Sequence, residues 1–379
     1  MNYPIYLDYA ATTPVDERVL NEMLPYFTEH FGNSSSRFHA FGWKAEEAVT
    51  KARAQVADLL GASPKEITFT GGATESINLA IKGVAEAASG AKNHIISLKT
   101  EHKAVLDTLK NLEKKGFEVT YLEVEPDGLL NIEKLKSAIR PETLMISVMW
   151  VNNETGVIQD IRKIGELARQ NDVLFHTDAT QGIGKLKTDI NELGADLLSF
   201  SGHKIYGPKG VGVLYVRNNI KLIAQQDGGG HERSRRSGTL NITGIVGLGM
   251  ACELAGAATE QESEKMGRFK SDFEDFLLQR FDFCKINGAE QSRIPGISNV
   301  CFKGFDGEEL LMKMNQIAIS NGSACNSASV DPSHVLKAMG LSDDDAYSSL
   351  RFSFGRFTTE QDLSDLKKHV EETLLEIKG

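Results

Sequence analysis

The sequence predicts an α/β protein, with a large domain on a mostly parallel, doubly wound sheet and a smaller α+β domain. Three observations predict it. Up to about residue 260, short apolar runs alternate with helical patterns, as in parallel strands joined by crossover helices. Beyond that point the texture changes, and a long charged helix leads into short strands and amphipathic helices. A chain of 379 residues also exceeds what one small core fills, so a large unit and a small one are expected.

The elements follow in order. Trp43–Leu60 places Ala, Val and Leu at helical spacing with charges between them. Ile67–Thr70 reads as a strand, then Gly71-Gly72 and a helix from Thr74. Further strands are expected at His94–Leu98, Phe117–Val124, Leu144–Val151, Val173–Thr177, Leu197–Phe200 and Gly212–Val216, with helices at Ala104–Lys115 and Ile161–Gln170. Right-handed crossovers put the loops after the parallel strands on one edge of the sheet. The later part predicts helices at Glu262–Arg280, Gly307–Met314 and Glu360–Ile377, and strands at Ile297–Phe302 and Ile317–Ser320. The domain assignment is 15–258 for the large domain, with 1–14 and 259–379 forming the small one.

Composition narrows the function. The formal net charge is -10, which gives no electrostatic reason to hold a nucleic-acid backbone. Arg233-Ser-Arg-Arg236 is a local exception, read as a solvated loop or the neighbour of a partner or second subunit. No apolar run of membrane-spanning length is evident, and the start of the chain does not read as a signal peptide. Four cysteines, Cys252, Cys284, Cys301 and Cys325, fit free thiols in a reducing cytoplasm. None has metal-ligand spacing, so no metal site is expected.

Five stretches carry chemistry. Ser199-Phe-Ser-Gly-His-Lys204, followed by Ile-Tyr-Gly-Pro-Lys-Gly210, is a polar loop at a strand end. An isolated lysine is by default solvated. Here Ser201 and His203 can donate to a phosphate, and Lys204 can form a Schiff base with an aldehyde cofactor. His176-Thr-Asp-Ala-Thr-Gln181 ends another strand. An aspartate there is often only a helix cap, but Asp178 also suits a pyridine nitrogen that must stay protonated. Gln181 can donate to a phenolic oxygen. Thr70-Gly-Gly-Ala-Thr-Glu75 joins strand to helix, and its N–H groups with the Thr74 hydroxyl suit a phosphate. His102, in Thr100-Glu-His, can stack on a cofactor ring or move protons. Last, Cys325 stands among small residues in Ser320-Asn-Gly-Ser-Ala-Cys-Asn-Ser-Ala-Ser329. That setting predicts an accessible, reactive thiol on a mobile loop, whereas the other three cysteines read as structural.

With these residues in place, the chain resembles the cysteine desulfurases of the NifS/IscS type. The likeness runs from Tyr6-Leu-Asp-Tyr-Ala-Ala-Thr-Thr-Pro14 to Ser349-Leu-Arg-Phe-Ser-Phe-Gly-Arg356. The resemblance implies a fold-type I pyridoxal 5'-phosphate (PLP) transferase, usually a homodimer. It implies Lys204 as the Schiff-base lysine, His102 stacked on the ring, Asp178 at its nitrogen and Gln181 at its phenolic oxygen. Ala73, Thr74, Ser201 and His203 would hold the phosphate, and Thr239 would reach the phosphate of the second subunit. Asn153 and Arg351 would orient the substrate, Arg351 through its carboxylate, with Asn33 in the substrate pocket. Cys325 would receive the sulfur of L-cysteine as a persulfide, leaving L-alanine. An acceptor protein would collect that sulfur for iron–sulfur clusters or tRNA thiolation. Trp150 and Asn326 depart from residues common in the housekeeping form, and relatives can extend past the position of Gly379, which leaves the scaffold partner open. A selenocysteine lyase or aminotransferase would not need Cys325 in such a loop. A silent docking protein would leave Lys204, Asp178, His102 and Cys325 idle.

Overall fold

The computed structural model describes residues 4–88, 90, 92–288, 293–321 and 332–378. Twelve strands are described: β1 (Ile5–Tyr6), β2 (Ile67–Thr70), β3 (His94–Leu98), β4 (Glu118–Leu122), β5 (Thr143–Ser147), β6 (Leu174–Asp178), β7 (Leu197–Ser201), β8 (Gly212–Val216), β9 (Cys284–Ile286), β10 (Ile297–Phe302), β11 (Ile317–Ala318) and β12 (Ser349–Ser353). Seven form the main sheet in the order β2-β8-β7-β6-β5-β3-β4. The pairs from β7 through β6, β5 and β3 to β4 are parallel, and β8 runs antiparallel to both neighbours.

These strands are apolar on both faces because both are covered. Alternation divides their side chains between two cores. Ile96, Ile146, Leu198 and Val213 enter one, while Ile95, Met145, Leu197 and Leu214 enter the other. The second region holds the antiparallel sheet β12-β10-β9 and the parallel pair β1–β11. Its aromatic core gathers Phe269, Phe273, Phe302, Phe352 and Phe354. Asp8 bridges to Ser353, so the chain's N-terminal segment runs along this second sheet before crossing to the first.

One helix serves both cores. It spans Ile242–Arg280, starting twenty residues before the expected Glu262. Ile245, Leu248, Ala251 and Cys252 pack into the main core, and Met266, Phe269, Phe273 and Leu277 into the aromatic one. Its first half contains many Gly and Ala residues, which weaken the helical pattern in sequence. They permit close approach instead: a Cβ on Gly249 would lie 2.7 Å from the Ala52 Cα of helix Ala40–Leu60. The helix also contains an 18-residue window of mean hydropathy 1.4, apolar enough by length and composition to cross a membrane. The sequence reading expected no such stretch; the packing turns half of that window toward the interior.

Candidate active site

The parallel strands end on one edge, and their last residues lead into the predicted loops. β2 runs into Gly71-Gly72, β3 into Thr100–His102, β5 toward Asn153, β6 into Asp178 and β7 into Ser201–Lys204. A cavity of about 860 Å³ opens there. His102, Asn153, Asp178, Gln181 and Lys204 line it from the main sheet. Ala73, Thr74, Ser201 and His203 line it near the helix start, and Arg351 enters from β12.

Lys204 ends a short 3-10 turn after β7. Its Nζ donates to the carbonyls of Ala10 and Ala11, each at 2.6 Å. The Ala10 carbonyl also accepts from Gln181 Nε2 at 2.8 Å. The N-terminal segment therefore tethers two of the predicted cofactor residues. Sequence reading quoted that segment but gave it no role, because Ala10 and Ala11 contribute only backbone groups.

Asp178 is buried, and its Oδ1 accepts from the Thr180 amide at 3.0 Å. His102 caps helix Lys103–Glu113, its Nδ1 accepting from the Ala104 amide at 3.1 Å. Burial holds the imidazole below its usual pKa, partly opposed by Asp178 and assisted by Lys204. A neutral ring that accepts at Nδ1 carries its proton on Nε2. His203 is neutral as well: burial, with Lys204 and Lys209 nearby, takes it down to about 4. Its Nδ1 lies 3.0 Å from Thr12 Oγ1.

The start of helix Ala73–Ala87 differs from most others. Asp16, Asn131, Asp189 and Asp306 cap their helices with side-chain oxygens. The corresponding residue here is Gly72, at φ 152°, with no side-chain cap. The first-turn N–H groups thus face the cavity without a side-chain acceptor, which makes an anion seat. A Cβ on Gly212 would come within 2.6 Å of the Gly72 Cα, so β8 must carry glycine for the turn to lie this close. Glu75, an acid in the first turn, is occupied by the Gly71 amide at 2.7 Å and by Arg236 Nε at 2.8 Å.

Arg351 stands opposite. Nη2 reaches Asp8 Oδ1 and Nη1 the Asn153 carbonyl, both at 2.7 Å. Its buried Nε has no partner among the described residues, leaving donor capacity in a fork suited to a carboxylate. Ser320, which leads toward the cysteine loop, also lines the cavity and pairs with the Arg351 backbone.

Two predicted site residues lie outside this lining. Asn33 is exposed, its Oδ1 accepting from the Ser35 amide. Thr239 is exposed too. Cys325 and most of its loop lie outside the described residues. The other three cysteines are buried. Burial raises all three thiols, Cys284 to about 12. Sequence reading missed Asp8, Lys185 and Thr180. Asp8 shows its role only when the N-terminal segment meets β12, and Lys185 only when the turn after β6 folds back.

This architecture is that of the fold-type I PLP-dependent transferases. The aminotransferase class-V family model matches residues 5–366. The chain is 54% identical over 365 residues to cysteine desulfurase IscS of Anaeromyxobacter dehalogenans, covering 96% of this chain and 90% of that one. It is 54% identical over 364 residues to the IscS of a Neisseria meningitidis serogroup C strain, covering 95% and 89%. Among solved structures, a NifS-like protein aligns with a TM-score of 0.92 and 37% identity over 98% of this chain and 99% of that one. SspA in complex with cysteine aligns with a TM-score of 0.84 and 41% identity, over 93% and 99%. The chain belongs to the class-V aminotransferase family, among the PLP-dependent cysteine desulfurases of the IscS/NifS type.

Proposed function

We propose that this enzyme removes sulfur from L-cysteine, releases L-alanine and holds the sulfur as a persulfide on Cys325. One observation carries the reading: Lys204, Asp178, His102 and Arg351 converge on a single cavity from two separate sheets. The residues fit PLP. A lysine amine, a buried carboxylate and an uncapped helix start lie on one sheet edge, as the aldehyde, the ring nitrogen and the phosphate require.

When bound, PLP withdraws electrons from the amino acid's α-carbon. The chain's own residues do the rest. Arg351 pairs with the substrate carboxylate, and Asn153 braces Arg351 through its carbonyl. Lys204 holds and moves the α-proton, near enough to the Ala10 and Ala11 carbonyls to be steered by them. His102 offers an Nε2 proton. The Cys325 thiolate attacks the substrate sulfur. An S–S bond forms and the Cβ–S bond breaks, with its electron pair staying on carbon to be protonated. L-cysteine and one thiol thus give L-alanine and one persulfide. The buried, raised thiols of Cys252, Cys284 and Cys301 suit none of them to this attack.

The enzyme then passes sulfur to an acceptor protein serving iron–sulfur cluster assembly or tRNA thiolation. It works as a cytoplasmic homodimer. An exposed aromatic strip of Phe27, Phe31, Phe38, Phe41 and Trp43 supports a second copy docking on this face. The test is alanine release from L-cysteine with reductant present. Cys325→Ser should keep the bound cofactor's visible absorbance and lose alanine release. Full-rate release by that variant would overturn the assignment of the sulfur acceptor.

A further inference from the structure

Lys185 lies behind the cofactor wall, at a small neighbouring cavity. It lies in the turns that follow β6, four residues after Gln181, and its Nζ donates to Gln181 Oε1 at 2.7 Å. At the other end of the same amide, Gln181 Nε2 donates to the Ala10 carbonyl at 2.8 Å. That carbonyl also receives Lys204 Nζ. A chain of hydrogen bonds thus runs from Lys185 through Gln181 and Ala10 to Lys204.

A primary amide can flip and exchange its oxygen for its nitrogen. Here the flip is blocked from both ends. As an ammonium the lysine offers only N–H donors, and the carbonyl in any state only accepts. Flipping would lose two hydrogen bonds and set N–H against N–H and oxygen against oxygen. The amide keeps its NH2 on the cavity side, where one N–H goes to Ala10 and the second is left for an occupant.

We propose that Lys185 is a positioning residue that locks Gln181 as a donor, never an acceptor, toward the phenolic oxygen of the bound cofactor. This rests on the cavity being the PLP site with Lys204 as its anchor. The setting agrees. Tyr9, Tyr206 and Glu262 share a small cavity with Lys185, but Glu262 is paired with Arg356 at 2.5 Å. Burial, with Lys204 and Arg351 nearby, lowers Lys185 to about 7. As an ammonium its nitrogen only donates; above about pH 7 the neutral amine still donates to Oε1 but gains a lone pair, and the Ala10 carbonyl then carries the block against the flip.

The experiment uses PLP-saturated protein and follows the cofactor's visible absorbance from about pH 6 to about pH 10. A donor at the phenolic oxygen stabilises its anion and makes the cofactor–lysine link bind its proton less tightly. Lys185→Met should therefore raise the midpoint of that titration by about one unit and weaken PLP binding several-fold. Gln181→Leu should reproduce the shift. Adding Lys185→Met to Gln181→Leu should move the midpoint by less than about 0.3 units, because the two act in series. Met keeps most of the aliphatic volume, so the fold is retained. If that variant does not fold, Gln181→Leu alone still decides: an unshifted midpoint refutes the proposal. Equal shifts from Lys185→Met in both backgrounds also refute it, since Lys185 would then act without Gln181. A wild-type protein lacking a visible band that Lys204→Ala abolishes would instead sink the cofactor reading, and this one with it. A normal wild-type band with variants titrating like wild type sinks only the role of Lys185.

Discussion

The two walls of the cavity are built differently. The main-sheet wall consists of strand ends with short local bonds, Asp178 to Thr180, His102 to Ala104 and Gln181 to Lys185, and Lys204 and Gln181 are held besides by the Ala10 and Ala11 carbonyls. The facing wall is one arginine on β12, held by Asp8 and by the Asn153 carbonyl, far away in sequence. The first wall forms once the sheet forms and the Ala10–Ala11 segment lies against it. The second requires the N-terminal segment, the loop after β5 and β12 to meet. A cofactor that stays bound suits the first, and a substrate that comes and goes suits the second.

Breaking the first wall should have the largest effect. Lys204→Ala is expected to abolish the lysine-linked absorbance band and to slow alanine release by roughly 10²- to 10⁴-fold, measured by spectrum and product assay together. A variant that keeps both would contradict the division of labour described above.

Breaking the second wall should spare the cofactor. Arg351→Ala removes charge-assisted hydrogen bonds worth about 2–3 kcal/mol, so kcat/KM for L-cysteine should fall roughly 30- to 150-fold while the absorbance spectrum stays unchanged. Loss of the spectrum would mean the walls are not separable.

The walls should also answer pH in opposite directions. His176 lies within the main sheet between Ser147 Oγ at 2.9 Å and Ser199 Oγ at 3.1 Å, and burial lowers it to about 3. Its unfolded form, with a pKa near 6.5, binds the proton more readily, so stability is full above about pH 6.5 and declines below it. Between pH 6.5 and pH 5 the loss is about 2 kcal/mol. Denaturant midpoints should show that acid slope, and His176→Gln should flatten it.

Glu154 sits beside Arg351 and accepts from Ser333 Oγ, and burial raises it to about 7. A carboxyl raised in the folded state contributes stability below its unfolded pKa of about 4.5, which is lost as pH rises through about 7. The expected cost by pH 8 is about 3 kcal/mol, and Glu154→Gln should remove it from the denaturant midpoint. An unchanged slope between about pH 4.5 and pH 7 in that variant would show that this junction is not held by a neutral carboxyl.

Much of the first wall was legible in sequence. Strand runs at 67–70, 94–98 and 212–216 match the structure residue for residue, since a strand buried on both faces is continuously apolar. The residues after such strands are polar without a local need to be, which singled out Lys204, Asp178 and His102. The second wall left weaker traces. β12 was not expected as a strand, although Arg351 was assigned from resemblance. The start of helix Ile242–Arg280 was hidden by glycines whose purpose is close packing against another helix.

Sequence by itself determined the alternation of strands and helices, the polar strand ends and the chemistry of each candidate side chain, because these depend on periodicity and residue type. Tertiary structure alone decided that the Ala10 and Ala11 carbonyls hold Lys204, that Asp8 holds Arg351 and that Lys185 fixes the amide of Gln181. The first two join segments roughly 190 and 340 positions apart, and the third depends on how a run of turns folds back. Backbone carbonyls carry no residue signature, and distance along the chain says nothing of distance in space until the two sheets have packed.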